Sequence, residues 1–379
     1  MNTLFKYCLC LMAGLALLVP SIESSAATQT CSSATYAAPS GATNNIVFVF
    51  DKAYQCGQFA NGDVWVTPYP AASLTITSIS PAIADGKNGF EVNPSSKTKQ
   101  GFDRRIAGYD ATLQPALPLA LSGDVSVVKT VSSPPAAPGK ACLPCLQFAA
   151  VLTVTAKPVL NSETLFRPGY FGKTKTFTTV NLTGKSLPKL PASCCAEAAN
   201  LTFLKVKARY QSVQLDNLQD WSGRFMHPAD NMPDYGAQLA TDNAVFLLRM
   251  LMDDFKVTDP VHKAALTNYL QMAVDLRSMA AGGVKWPPSG GHDNGRKLPL
   301  VFAGWFLGDP SFQAAVNSSY FSEDGQVYYS AKAGQALFGW NCGSDVAYWK
   351  KALLFQSVSR PSRLIASAVY FHGLAVQQN

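Results

Sequence analysis

Histidine is scarce in this chain. It occurs four times in 379 residues, as His227, His262, His292 and His372. No two of these fall at a metal-binding spacing on one helix, which excludes a zinc site of the His-x3-His type. The Gly-x-Ser-x-Gly elbow is missing, which argues against a serine hydrolase of that kind. The Gly-x4-Gly-Lys-Ser/Thr spacing is also missing, so no phosphate-binding loop is encoded. Charge is sparse at 15% of residues, with 31 Lys and Arg against 24 Asp and Glu, a net +7. No dense basic run or basic helix appears, so nucleic acid is not an expected partner. After the first twenty residues no apolar run is long enough to span a bilayer.

The opening segment has the pattern of a cleavable export signal. Lys6 supplies a positive charge, Cys8 to Val19 is uncharged and apolar, Pro20 breaks the run, and Ser25-Ala26-Ala27 offers small residues before a cut. Residues 1–27 are therefore expected to be a signal peptide, with the remainder secreted or periplasmic. Residues 28–205 carry 15 basic and 9 acidic residues, and residues 206–379 carry 15 and 14, so the positive balance sits in the first half.

Seven cysteines follow the signal: Cys31, Cys56, Cys142, Cys145, Cys194, Cys195 and Cys342. An oxidising compartment favours pairing among them. Cys31 with Cys56 is a close pair. Cys142 and Cys145 could bridge locally or reach Cys194 or Cys195, and the odd count leaves one thiol over. No second pair at short spacing accompanies Cys142-x-x-Cys145, and no metal or other cofactor is expected.

From Ile46 the apolar period is two. Strands are predicted at 46–50, 64–66, 74–79, 125–128, 149–156 and 176–182, separated by Gly, Pro, Asn and Asp. Residues 28–205 thus read as an antiparallel β-sandwich or jelly-roll-like domain. Residues 206–379 read as helical hairpins, a partial α/α toroid, which makes the chain multidomain α+β. Helices are predicted over 235–255, from Asp259-Pro260 to Ala281 with Gly282-Gly283 as the stop, and over 297–307 closed by Gly308. Asp309-Pro310 starts another, and two more are predicted at 331–338 and 346–357.

Three segments have the composition of a site. Trp286 to Lys297 runs Trp-Pro-Pro-Ser-Gly-Gly-His-Asp-Asn-Gly-Arg-Lys into the start of a helix. His292 suits acid–base work near neutral pH, and Arg296 suits a two-pronged grip on a carboxylate. The competing reading is a polar turn that caps the helix. Glu323-Asp324 with Tyr328 and Tyr329 offers carboxylates beside aromatics, or else a solvated turn. His227, followed by Pro228 and then Asp234-Tyr235-Gly236, stands at the entrance to the helical half. Arg167-Pro168-Gly169-Tyr170 is a turn that could also project toward a ligand.

The stretches Gly290 to Pro299, Phe302-Ala303-Gly304 with Leu307-Gly308-Asp309, Glu323 to Gln326, Gly62 to Val66 and Gln100 to Asp103 together resemble a group of secreted proteins without an established activity. More remotely, a β domain beside helical hairpins is similar to the α/α-toroid polysaccharide lyases. That resemblance implies β-elimination from a uronic acid. Asn294, His292 or Arg296 would neutralise the substrate carboxylate, and Tyr328, Tyr329, Tyr235 or His292 would move the proton. Trp286, His227, Asp293, Glu323 and Asp324 would bind the glycan. Two alternatives stay open. One is a non-catalytic carbohydrate-binding or cell-surface protein with Trp65, Tyr69 and Trp286 as stacking platforms. The other is a glycoside hydrolase using Asp293 with Glu323 or Asp324.

Overall fold

The computed structural model describes residues 29–39, 42, 44–182 and 185–325, and the backbone of three short strands at 327–330, 335–338 and 346–347. Residues 1–27, over which a signal peptide is expected, Cys342, His372 and residues 360–379 lie outside the described residues.

The first half is strand-rich. Its strands are β1 (Thr30–Tyr36), β2 (Ile46–Gln58), β3 (Val64–Thr67), β4 (Leu74–Ser80), β5 (Phe90–Val92), β6 (Leu119–Leu121), β7 (Val125–Ser132) and β8 (Leu146–Val154). They form one sheet in the order β5-β7-β8-β3-β2-β4-β6, with β1 paired to β2. Only the β3–β8 pair is parallel. The sheet curls at β2. Val47–Phe50 of that strand pairs with β4, Gln55–Gln58 pairs with β3, and the register shifts at Val49/Phe50. An irregularity of this kind bends a strand and increases its twist. Residues 176–182 contribute only β10 (Thr178–Thr179), paired with β9 (Leu165–Phe166). Disulfides join Cys31 to Cys56, across β1 and β2, and Cys142 to Cys145, in the turn before β8.

The second half holds α1 (Ala196–Ala199), α2 (Phe203–Arg209), α3 (Gly236–Met250), α4 (Pro260–Ala281), α5 (Lys297–Leu307) and α6 (Pro310–Ser318). The cap chemistry explains the boundaries. The Asp259 carboxylate accepts from the Val261 and His262 amides, with Pro260 in the first turn, and Asp309 accepts from Ser311 ahead of α6. Gly308 closes α5 in the left-handed conformation. Helix was expected at 331–338 and 346–357, of which 331–334 and 348–357 lie outside the described residues. Instead β11 (Val327–Ser330), β12 (Gln335–Phe338) and β13 (Val346–Ala347) form a small antiparallel sheet. Pairing with the β-branched and aromatic run Val327-Tyr328-Tyr329 overrides the helix preference of the alanines.

Strand β8 serves two cores. Phe148, Ala150, Leu152 and Val154 enter a cluster with Ile46, Phe48, Ile76 and Phe90. Ala149 and Val151 face the other way, into a cluster with Tyr170, Phe171 and residues of α4 and α5. Burial on both faces explains the nearly continuous apolar run of its sequence. Each such large side chain contributes about 1.5–3 kcal/mol on burial. Arg167, a turn residue in the sequence reading, is buried. It grips Asp275 of α4 with two nitrogens at 2.9 and 2.6 Å and Asp63 with the third at 2.5 Å. Among the described residues no helix is long and apolar enough to cross a membrane.

Candidate functional site

The loop between α4 and α5 is held from beneath by a buried ionic cluster. Arg296 is 1% exposed. Its Nε and Nη2 donate to Asp216 Oδ2 and Oδ1 at 2.7 and 2.8 Å. Its Nη1 donates to the carbonyls of His292 and Asn294 at 3.0 and 2.6 Å. The guanidinium is thereby filled by the protein itself and sets the shape of residues 292–294. Trp286, also 1% exposed, donates its indole N–H to Asp216 Oδ2 at 3.0 Å and stacks on Phe321. It forms part of the core rather than a stacking platform, and Trp65 is likewise buried. Burial pushes the Asp216 carboxyl up, but the charge and hydrogen bonds of Arg296, with help from His227, outweigh it and hold the group well below the usual carboxylate range.

His227 belongs to the same cluster and is 2% exposed. Its Nδ1 lies 2.8 Å from the Pro233 carbonyl. A carbonyl only accepts, so Nδ1 carries a hydrogen, and Nε2 lies 3.3 Å from both Asp216 Oδ1 and Arg296 Nη2. His227 is thus a buried supporting residue rather than a surface ligand.

Above this base lies an accessible face. His292 is half-buried, and Tyr235 meets it edge-on with ring centroids 4.8 Å apart. Tyr235 is 40% exposed and donates its hydroxyl to the Gly290 carbonyl at 2.9 Å. Arg224 Nη1 stands 3.5 Å from His292 Nε2 and 3.8 Å from Asp234. Its guanidinium also lies against the rings of Phe225 and Trp221, and Trp221 is 54% exposed. Arginine keeps its charge, so a His292 Nε2 that accepts from it belongs to a neutral imidazole. Burial and then the Arg224 charge accordingly move the His292 pKa down. The close fit depends on Gly236 at the start of α3, where a Cβ would stand 2.1 Å from the His292 carbonyl oxygen.

The acidic residues brace the loop. Asp293 is buried, accepts from the Ser289 hydroxyl at 2.9 Å, and has its carboxyl pushed up to about 6, chiefly by burial. Glu323 accepts from the Gly295 amide at 2.8 Å, and burial raises its pKa. Asp324 accepts from the Phe321 amide and pairs with Lys297. Each is engaged within the protein rather than forming an open carboxylate pair. The side-chain oxygen of Asn294 is buried without a hydrogen-bond partner among the described residues. Tyr328 and Tyr329 lie on β11, but their side chains are outside the described residues.

The structure therefore brings His292 and Tyr235 together and draws Arg296, Trp286 and His227 into one buried cluster. It adds Asp216, Trp221 and Arg224, which the sequence reading did not single out. Trp221 and Arg224 share a short 3-10 turn, Trp221–Met226, that gives no periodic signal. Two cavities lie away from this face. One, of about 410 Å³, is lined by Leu300, Trp305 and Val316, and the other, of about 260 Å³, by Phe171, Arg277 and Lys173. Among the described residues no group of three or more His, Cys, Asp or Glu is placed to hold a metal ion.

Compared with protein-family profiles, with curated proteins and with solved structures, the chain finds no match.

Proposed function

We propose that this protein, exported from the cell, binds an acidic glycan on the face formed by Trp221, Arg224, Tyr235 and His292. The observation that carries the reading is the half-exposed Trp221 ring beside the Arg224 guanidinium. A sugar ring stacks on an exposed indole, and its carboxylate takes a charge-assisted hydrogen bond from the neighbouring arginine. The excess of basic residues in the first half favours approach of a polyanion. Tyr69, 52% exposed, is a second platform on the β-rich half. In this reading the curled sheet is sandwich-like, and the hairpins α3–α4 and α5–α6 are units of a partial α/α toroid.

A second reading is supported by the neutral His292 beside Arg224. On the same face, Arg224 would neutralise a uronate carboxylate, and His292 or Tyr235 would take the adjacent proton in a β-elimination. Arg224 takes the role that Arg296, filled by Asp216, does not offer. Hydrolysis has less support, because Asp293, Glu323 and Asp324 are all engaged internally.

Purified protein is titrated with a polyuronate and with a neutral polysaccharide of similar length, while ultraviolet absorbance follows new unsaturated ends. Salt-sensitive binding to the polyuronate alone, without new absorbance, is the expected result. New absorbance abolished by His292→Ala would transfer the assignment to elimination. Equal binding to both polymers would overturn the acidic-glycan reading.

A further inference from the structure

Cys194 and Cys195 are neighbours in the chain, and neither is bridged among the described residues, while Cys31, Cys56, Cys142 and Cys145 are. Their sulfurs stand 3.1 Å apart. Cys194 is exposed and Cys195 is half-buried. The Cys195 side chain packs with Leu190, Ala199 and Leu201 against Val245, Leu248 and Met252 of α3. The segment is anchored on that side, because the Leu190 amide donates to the Leu251 carbonyl at 2.9 Å and the Asp253 amide donates to the Leu190 carbonyl at 3.0 Å. One sulfur is thus fixed by packing and the other is reachable from solvent, with nothing between them. The glycan face described above does not use this pair.

We propose that Cys194 and Cys195 are a reversible redox-modification site, closing to a vicinal disulfide under a low-molecular-weight disulfide such as oxidised glutathione. The Cys194 thiolate attacks one sulfur of the glutathione disulfide and forms a mixed disulfide, and the departing glutathione thiolate takes up a proton. The Cys195 thiolate then attacks Cys194 Sγ, forms the intrachain bond, and expels the second glutathione as a thiol. Two cysteine thiols are oxidised and one disulfide is reduced to two thiols, so atoms and electrons balance. Burial, then the hydrogen bond and the charge interaction with Cys194, pushes the Cys195 thiol up to about 11, so the exposed Cys194 leads. Consecutive Cα atoms lie about 3.8 Å apart, whereas an unstrained disulfide spans about 4.4–6.8 Å. The vicinal bond is therefore the first to reopen as conditions become more reducing.

Trypsin cuts after Lys189 and Lys205 and releases both cysteines in one peptide with no third cysteine. The full chain is equilibrated in glutathione buffers of graded ratio, its free thiols are blocked by alkylation, and the digest is weighed. The expected result is a 190–205 peptide that carries no alkyl group and is lighter by about two hydrogens than the dithiol. It should convert to the doubly alkylated form at a less reducing ratio than the one that opens either of the other two bridges. Double alkylation at every ratio would overturn the proposal. So would a stable glutathione adduct, or a cross-link from either residue to Cys342 or to a second chain.

Discussion

Asp216 holds Arg296 in a two-pronged ion pair, Nε to Oδ2 at 2.7 Å and Nη2 to Oδ1 at 2.8 Å, across 80 residues of chain. Both side chains are buried, and the remaining arginine nitrogen is spent on the loop carbonyls of His292 and Asn294. Removing one partner leaves the other charge buried and alone. Arg296→Ala is therefore expected to lower the unfolding free energy by about 3–5 kcal/mol. Denaturant titration checks this, and an unchanged midpoint would show that the pair does not hold the loop.

The loop should also leave a mark on the pH dependence of stability. The Asp293 carboxyl sits at about 6 in the folded protein against its ordinary value of 3.8. Between these values the folded state binds more protons than the unfolded chain, so stability falls as pH rises from about 4 to about 6. Asp293→Asn removes that fall, and its thermal midpoint should decline less than the parent's between pH 4 and pH 7. The His292 pKa is moved down, so its contribution is complete above the unfolded value and is lost as pH falls below it. Parallel melting curves for the parent and Asp293→Asn across this range would count against the placement of Asp293.

Gly236 offers a test by sign. Glycine to alanine at a helical position ordinarily stabilises a protein by about 0.4–1 kcal/mol. Here a Cβ would stand 2.1 Å from the His292 carbonyl oxygen and 2.6 Å from the Asn294 amide nitrogen. Gly236→Ala is expected to destabilise instead, by about 1–3 kcal/mol, the usual cost of overpacking. It should also weaken glycan binding by displacing His292. A stabilised variant would refute the contact between α3 and the loop.

These relationships show what the sequence discloses and what it conceals. The bounds of α4 and α5 and the start of α6 were legible because caps are local chemistry: Asp259-Pro260, Gly308 and Asp309-Pro310 act within a few residues. The apolar run of β8 was legible for the same reason. The length of β2 was not, because its polar middle, Asp51-Lys52, breaks the alternation while the ladder continues to Gln58. In the site, His292 and Tyr235 were visible as residue types in unusual segments. The burial of Arg296 was not, since its partner Asp216 lies far away in the chain and carries no local signature. Arg167 was hidden in the same way, because Asp275 is 108 residues distant.

The central claim is that Arg224 and Trp221 form an acidic-glycan site. It is tested most directly by calorimetric titration of a polyuronate oligosaccharide into the parent protein and into Arg224→Ala. A charge-assisted hydrogen bond contributes about 1.5–3 kcal/mol, so affinity should fall roughly ten- to a hundredfold. The thermal midpoint should change little, because Arg224 is only half-buried and its charge takes no part in the Asp216–Arg296 cluster. Undiminished affinity in the folded variant would contradict the account.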